Sequence, residues 1–202
     1  FLYQEGFSPT TIVGTRPARD ANDTPAAEGV RTGAYILGDN QPDFQMSWSN
    51  EINFFKNFDF NMLWHWKKGG DNINLTEFLW DGGGTSPDWD DDDNGDGVPN
   101  GRQRGLAPHN GADRWVQDAT YLRLREAALY YTVPSTSLNK WSNNKISRVR
   151  VGFSCQNPLT FSKYRGYDPE TSTFGLQAVA SGVDIAPYPT QRRFFGHLVV
   201  EF

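Results

Sequence analysis

The chain has 202 residues and a formal net charge of −5 at pH 7, so it offers no basic surface for a nucleic acid. Its mean hydropathy is −0.63, and its apolar runs are far shorter than the roughly 20 residues that a transmembrane helix needs. Even so, 14% of the residues are aromatic and 7 of them are Trp, which is a high share for so polar a chain. This combination favours strands that are apolar on one side only.

The amino-terminal part, residues 1–43, is rich in Gly and Pro and has little periodicity. It predicts an extracellular loop region with one short strand around residues 31–37. The first residues have neither the basic start nor the apolar core of a signal peptide. We therefore expect a processed protein or a piece of a longer one.

The clearest strand signal is a hairpin. Apolar side chains take nearly every second position of residues 44–54 and of residues 58–66, with polar residues between them. Lys56 and Asn57 separate the two runs and predict a tight turn. Aromatic residues at both ends of the second run are typical of the two interfacial girdles of a membrane barrel.

A third strand is predicted from about Asp118 to Val133, but its apolar phase slips near Arg125 and Glu126. A β-bulge at this point would bring both halves onto one face. Pro134 ends the strand, and the polar segment up to residue 144 predicts a turn.

Two further strands follow the same alternation. The fourth carries Val149, Val151, Phe153 and Cys155 on one parity. The fifth ends the chain and has Phe194, Gly196, Leu198, Val200 and Phe202 on one parity, with His197 and Glu201 on the other. A strand of this kind that ends in an aromatic residue is similar to the signal by which bacterial assembly machinery takes up outer-membrane barrels.

The connections alternate in length. Those near residues 55–57 and 134–145 are short, whereas those at about 68–117 and 158–191 are long and rich in Gly, Pro, Asp and Asn. Short periplasmic turns and long outer loops are typical of outer-membrane barrels. We therefore predict an all-β fold, a transmembrane antiparallel β-barrel in the cell outer membrane with its long loops on the extracellular side. About five strands cannot close a barrel, so more sequence or another chain must complete it.

A family resemblance rests on several short segments in a specific order. They are residues 42–44, 69–71, 118–125, 131–134, 148–151, 156–160, 163–170 and 188–189. Together they resemble the carboxy-terminal part of SusC/RagA-type TonB-dependent outer-membrane transporters of Bacteroidetes. The resemblance covers most of residues 38–202, although Cys155 replaces a more usual Ala or Gly and residues 90–93 lengthen a loop.

The resemblance implies that this chain is one part of a larger transporter. Residues 44–202 would be the carboxy-terminal strands of a 22-stranded barrel that encloses a plug domain. TonB would act through a missing amino-terminal part, and a SusD-like surface lipoprotein would cover the extracellular mouth. The nutrient ligand would be bulky, a glycan or oligosaccharide in the first place and a peptide in the second. Such a protein is not an enzyme.

The acidic stretch of residues 90–97 matches the front of a calcium loop. Asp92, Asn94 and Asp96 supply oxygen ligands at alternate positions, and Gly97 permits the sharp bend. Gln103 stands where the bidentate Glu is usual. The sequence therefore predicts Ca²⁺ at this loop, with a solvated acidic loop as the alternative.

Aromatic residues of the long loops are candidates for substrate or partner contact. Trp80 and Trp89 lie in one loop, and Tyr164, Tyr167 and Asp168 lie in the other. Their rings could stack on sugar faces or pack against a lid protein. The alternatives are self-packing of the first loop and a structural turn in the second.

No residue pattern supports catalysis, because the three His residues have no ligand spacing and no nucleophile with its base stands out. The arginines of the predicted strands, Arg123, Arg125, Arg148 and Arg150, are expected to face the lumen in charge pairs. The competing hypothesis from another class is a secreted, soluble β-sandwich that binds carbohydrate. A sandwich would bury the apolar strand faces that a barrel turns to outer-membrane lipid.

Overall fold

The computed structural model describes residues 8–15, 34–104, 111–142, 145–172 and 182–202. The chain divides into two compact units, each made of three segments. The first unit consists of Phe1–Phe44, Lys68–Thr120 and Lys163–Pro189, and the second of Gln45–Lys67, Tyr121–Ser162 and Thr190–Phe202.

The elements of the described residues follow one another in this order: β1 (Thr11–Thr15), β2 (Ala34–Asp39), β3 (Pro42–Phe54), β4 (Phe58–Gly69), β5 (Asp71–Asn74), α1 (Leu75–Gly82), α2 (Asn100–Arg104), a 3-10 helix (Ala112–Trp115), β6 (Val116–Asp118), β7 (Tyr121–Thr132), α3 (Ser135–Ser142), β8 (Arg148–Ser162), β9 (Val183–Asp184) and β10 (Arg193–Glu201). Within this part of the chain, no helix is both long and apolar enough to cross a membrane.

The five strands with clear alternation form one five-stranded sheet in the order β10-β8-β7-β4-β3. Among these five strands, each pairs with the one that comes before or after it along the chain. The pairs β10–β8, β8–β7 and β7–β4 are antiparallel. The β3–β4 hairpin turns at residues 55–57, where Phe55 and Lys56 adopt positive φ angles of 49° and 64°. Phe54 and Phe58 stack across this turn with 5.4 Å between ring centroids.

The bulge predicted in the third strand is confirmed. Glu126 pairs with Leu63 and Leu124 pairs with Trp64, so Arg125 is the extra residue on β7. Because directly opposed residues of a pair lie on one face, the bulge brings Leu122 and Leu124 onto the face that carries Leu129.

Strand β8 continues through Pro158 to Ser162, so the loop predicted from about residue 158 begins at residue 163 instead. Gln156 pairs with Glu126 and Leu159 pairs with Leu124, which leaves Asn157 and Pro158 between the two ladder positions. Asn157 has a φ of 51°, and this local irregularity tolerates a proline that would otherwise end the strand.

The segment after Pro134, where the sequence predicts a turn, contains the short helix α3. Leu138 is buried there, and its backbone amide donates to the carbonyl of Pro134. The connection remains short, as expected.

The first unit contains more regular structure than the sequence predicts for its loops. β1 and β2 form an antiparallel hairpin. β5 lies between β6 and β9, antiparallel to the former and parallel to the latter. Helices α1 and α2 belong to the first long connection. Residues 1–7, 16–33, 105–110, 143–144 and 173–181 of the segments predicted as loops or turns lie outside the described residues.

Candidate functional site

One face of the second unit's sheet is apolar and open. Rows of paired residues cross it, such as Phe60, Leu129, Phe153 and Gly196 from β4, β7, β8 and β10. Trp48, Val151 and Leu198 keep 40%, 40% and 69% of their surface exposed within this chain. A β-sandwich would cover these side chains with a second sheet, so their exposure favours a lipid-facing wall.

The opposite face of the same sheet is polar and carries paired charges. Arg150 donates to Asp59 at 2.8 Å, and its guanidinium carbon lies 4.3 Å from the centre of the Tyr130 ring. The Ser154 hydroxyl and His197 Nε2 are 2.8 Å apart. Gly152 leaves room for the Tyr130 ring, because a Cβ there would lie 2.2 Å from Tyr130 Cδ1. Such pairing of opposite charges is expected on the side of the sheet that faces a polar barrel interior.

A second polar cluster surrounds His65 on β4. The Tyr121 hydroxyl and Arg125 Nη2 lie 2.9 and 3.1 Å from His65 Nδ1. Arg123 is almost fully buried, lies over the Tyr121 ring at 5.2 Å and donates to Thr190. Arg123 and Arg125 therefore contribute to packing on the polar face of the sheet.

In the first unit, Arg104 lies at the centre of a cluster of charged and polar side chains. Its guanidinium donates to both carboxylate oxygens of Asp81 at 2.6 and 2.7 Å, to Asp88 at 2.8 Å and to the Ser86 hydroxyl at 2.9 Å. The hydrogen bond from Arg104 lowers the pKa of Asp88, although burial opposes this. Burial opposes the charged form of Arg104, but the hydrogen bonds that Arg104 donates to Asp81 and Asp88 outweigh burial and raise its pKa.

The two tryptophans predicted as contact residues have different surroundings. Trp89 lies flat against α2, because a Cβ on Gly101 would be only 1.9 Å from its ring. Trp80 is half-buried and meets Tyr167 edge to face, with 5.5 Å between ring centroids. Both residues therefore pack within their own unit, and their part in substrate or partner contact stays a prediction.

The remaining candidates of the second loop differ in exposure. Tyr167 is 61% exposed, whereas Tyr164 and Asp168 are buried. Asp168 accepts from the amide of Glu170, as in a structural turn. Tyr164 donates to Asp184, and burial together with that carboxylate raises its pKa. Of these three, Tyr167 alone offers its ring broadly to a ligand, and the contact role of all three stays a prediction.

The acidic loop is held by its own hydrogen bonds. Asp92 accepts from the amides of Gly95, Asp96 and Gly97 at 2.8 to 3.2 Å. Gln103 Nε2 lies within 3.1 Å of Asn94 Oδ1, Asp96 Oδ1 and the carbonyl of Val98. Among the residues that the structure describes, no group of three His, Cys, Asp or Glu is placed to hold a metal ion. Calcium at Asp92, Asn94 and Asp96 stays a prediction.

The chain's last strand pairs with β8 along its whole length. Phe194 and Leu198 are 63% and 69% exposed, and Phe202 beyond the strand is 90% exposed. Gly196 lies on the same apolar face of the sheet, and a Cβ on this residue would point into open space. The role of Phe194, Gly196, Leu198, Val200 and Phe202 as an assembly signal stays a prediction.

Sequence reasoning missed the residues that organise the first unit, Arg104 and Asp184. Arg104 contacts Asp81 across 23 residues, and Asp184 contacts Thr76 across 108 residues. Contacts over such separations leave no periodic signal in a single sequence.

Comparison with known proteins gives a consistent result. No family model matches the chain. A TonB-dependent receptor of Formosa agariphila is 30% identical over 177 residues, which is 83% of this chain and 17% of the relative. TonB-dependent receptor SusC of Bacteroides thetaiotaomicron is 33% identical over 93 residues, which is 45% of this chain and 8% of the relative.

Solved structures agree at the level of the fold. The structure of the RagAB peptide transporter matches 93% of this chain and 22% of its own, with a TM-score of 0.66 and 17% identity. The RagAB peptide importer in its open-open state matches 96% of this chain and 21% of its own, with a TM-score of 0.61 and 18% identity. The chain thus spans about a fifth or less of the length of the proteins it matches.

The open apolar sheet and these matches define a part of a transmembrane antiparallel β-barrel. The chain is a relative of the SusC/RagA-type TonB-dependent receptors, which are outer-membrane proteins, and the resemblance seen in the sequence is confirmed. The relatives are named as receptors and not as enzymes, in agreement with the sequence analysis.

Proposed function

We propose that this chain forms the carboxy-terminal strands and outer loops of a TonB-dependent transporter that imports a bulky nutrient across the outer membrane. The open apolar face of the five-stranded sheet carries the proposal, because Trp48, Val151 and Leu198 need a hydrocarbon surrounding. The names of the matched relatives support the same class. The sheet would be one part of the wall of a 22-stranded barrel.

In this proposal the energy for uptake comes from TonB, acting on a plug domain outside the 202 residues. A SusD-like surface lipoprotein would cover the extracellular mouth. The nutrient would be a glycan in the first place, since the half-buried ring of Trp80 and the exposed ring of Tyr167 suit sugar faces. A peptide is the second candidate, because two matched structures are of a peptide importer.

Transport is tested with the intact receptor that contains this chain. We expect the receptor to fractionate with outer membranes and to require detergent for extraction. Cells should take up a labelled oligosaccharide or peptide only when both the receptor and TonB are present. A receptor that purifies from buffer without detergent would contradict the proposal, as would uptake that is unchanged in cells without TonB.

The orientation of the loops is tested by labelling single cysteines in intact cells. Asp90 lies in the first long connection and Lys140 lies in α3, and both are exposed. The native Cys155 is buried and gives a low background. We expect a membrane-impermeant maleimide to label Asp90→Cys and to leave Lys140→Cys unlabelled. Labelling of Lys140→Cys alone would reverse the proposed orientation.

The lipoprotein partner is tested by affinity purification of the intact receptor from mild detergent. We expect a SusD-like lipoprotein to co-purify in a fixed ratio to the receptor. Recovery of an active receptor without any surface lipoprotein would contradict this part of the proposal.

A further inference from the structure

The first unit contains a cavity of about 400 Å³ beside helix α1. Its lining includes three aromatic rings, those of Phe78, Trp89 and Trp115, above a polar floor of Asp81 and Arg104. Phe78 and Trp115 meet edge to face with 5.5 Å between centroids. This size is near the lower end of small-molecule sites, which suits one ring better than an extended chain.

The aromatic walls are held in place by different parts of the unit. Trp89 rests on the backbone of α2 at Gly101, and Trp115 is covered by the guanidinium of Arg114 at 5.3 Å. Phe78 is 48% exposed, so the cavity opens beside it. A ligand ring could therefore place an apolar face against fixed aromatic surfaces.

The floor is polar but balanced in charge. Asp81 and Arg104 have side chains that are only 8% and 7% exposed, and they bind each other through two hydrogen bonds. Outside the lining, Asp88 bonds to Arg104, and Arg114 lies 3.9 Å from Asp81 and 4.0 Å from Glu77. The Asp81–Arg104 pair in the lining has no net charge, which favours a neutral ligand over an anion or a cation.

The floor also retains hydrogen-bonding capacity. Among the described residues, Nη1 of Arg104 donates one hydrogen bond, to Asp88, and has a second N–H. Oδ2 of Asp81 accepts one, from Nε of Arg104, and can accept another. A purely apolar side chain seated here would bury both groups without partners, whereas neighbouring hydroxyls would bond to both.

We infer that this cavity binds a single neutral sugar ring, with its C–H face on the aromatic walls and its hydroxyl groups on Asp81 and Arg104. The inference rests on the proposed function for its biological use, because the ring would belong to the imported glycan. Binding itself does not depend on transport and is measured separately.

Binding is tested with the intact receptor in detergent by isothermal titration calorimetry. The probes are neutral gluco-, galacto-, manno- and xylo-oligosaccharides, with an oligouronate and a mixture of short peptides for comparison. We expect at least one neutral oligosaccharide to bind and Trp115→Ala to weaken it about tenfold or more. Leu79→Ala is the matched control, because Leu79 is 53% exposed on the same helix and does not line the cavity. We expect it to change affinity less than about twofold.

A second variant separates loss of the site from loss of the fold. Gly82 lines the cavity, and a Cβ there would meet nothing within 4 Å. Gly82→Leu should therefore fill the cavity without a clash and abolish sugar binding, while the midpoint of thermal unfolding stays unchanged. The inference fails if no neutral oligosaccharide binds, if Gly82→Leu binds normally, or if these variants weaken only the oligouronate or the peptides.

The uptake assay distinguishes this failure from failure of the proposed function. A receptor that imports an oligosaccharide equally well with Gly82→Leu and Trp115→Ala would overturn the cavity's role and leave transport intact. A receptor that binds the sugar through the cavity and imports nothing would overturn transport and leave the binding site intact.

Discussion

The hydroxyl of Tyr164 donates a hydrogen bond of 2.8 Å to Asp184, whose side chain is completely buried. The Thr76 hydroxyl donates to the other carboxylate oxygen and accepts from the amide of Ala186. The two long connections of the first unit are thus joined through one buried carboxylate. An acid in this setting depends on its hydrogen bonds, because a buried charge without partners is costly.

We expect Tyr164→Phe to loosen this joint. Removing the hydroxyl deletes one donor to a buried carboxylate, which costs about 1–3 kcal/mol. Hydrogen exchange of the intact receptor, followed by mass spectrometry, should become faster in residues 72–78 and 182–186. Tyr167→Phe is the matched control, because Tyr167 is 61% exposed and its variant should exchange like the wild type. Equal exchange in both variants would show that Asp184 does not need the phenol.

Arg104 should be essential to the order of the first long connection. Arg104→Ala leaves Asp81, which is only 7% exposed, without its main partner, and we expect a loss of about 3 kcal/mol or more. Limited proteolysis of the intact receptor should then cut residues 86–104 much faster. Arg102→Ala on the same helix is the control, since Arg102 is exposed. Similar cleavage rates for both variants would contradict the role assigned to the ion cluster.

Acid should weaken the contact between Arg104 and Asp88. The hydrogen bond from Arg104 holds the pKa of Asp88 below its ordinary value of 3.8. The contribution is therefore complete above about pH 4 and is lost as the pH falls through the lower pKa of the folded state. Because the Asp88 side chain is 49% exposed, the effect should be small and should decrease with salt.

Pepsin provides the measurement in this pH range. Cleavage of residues 86–104 in the intact receptor should rise as the pH is lowered from about 4 towards 2. Asp88→Asn should show a smaller dependence on pH than the wild type. Parallel pH profiles for the two proteins would argue against a role for Asp88 ionisation.

Two glycines of neighbouring strands should respond differently to the same substitution. Gly152→Ala places a Cβ 2.2 Å from the Tyr130 ring, so the ring must leave its position beside Arg150. Gly196→Ala meets nothing within 4 Å. We expect Gly152→Ala to lower the yield of folded barrel, seen as heat-modifiable migration in gel electrophoresis, while Gly196→Ala folds normally. The packing interpretation fails if both variants fold equally well.

The sequence-based prediction of calcium is tested by titration of the metal-free intact receptor with Ca²⁺. If Asp92, Asn94 and Asp96 bind the ion, Ca²⁺ should slow hydrogen exchange in residues 92–98, and Asp96→Ala should remove the effect. Asp90→Ala is the control, because Asp90 is exposed and outside the three positions. Exchange that is unchanged by millimolar Ca²⁺ would leave the loop as a solvated acidic turn.

The strands were predictable because their signal is local. Apolar residues at every second position, such as Val149, Val151 and Phe153, show a period of two that is visible without any knowledge of partners. The phase slip at Arg125 revealed the bulge on the same principle. The end of β8 was not visible in the same way, because the strand passes Pro158 through an irregularity in its pairing with β7.

The organisation of the long connections was not predictable in this way. Gln103 follows the acidic loop closely, but its contacts depend on how the loop folds. The aromatic cavity brings together Phe78, Trp89 and Trp115, which lie in different elements of one connection. The sequence alone does not show that these three residues meet, because their contacts exist only in the folded chain.

The amino-acid sequence by itself determined the strands of the five-stranded sheet, which side of each is apolar and how they follow one another, because the pleat of a strand imposes its period on the side chains. Tertiary structure alone decided that Asp184 would join Thr76 to Tyr164 and that Arg104 would support an aromatic cavity. Those contacts join residues distant in sequence, and their energies arise only when folding removes the charged and polar groups from water.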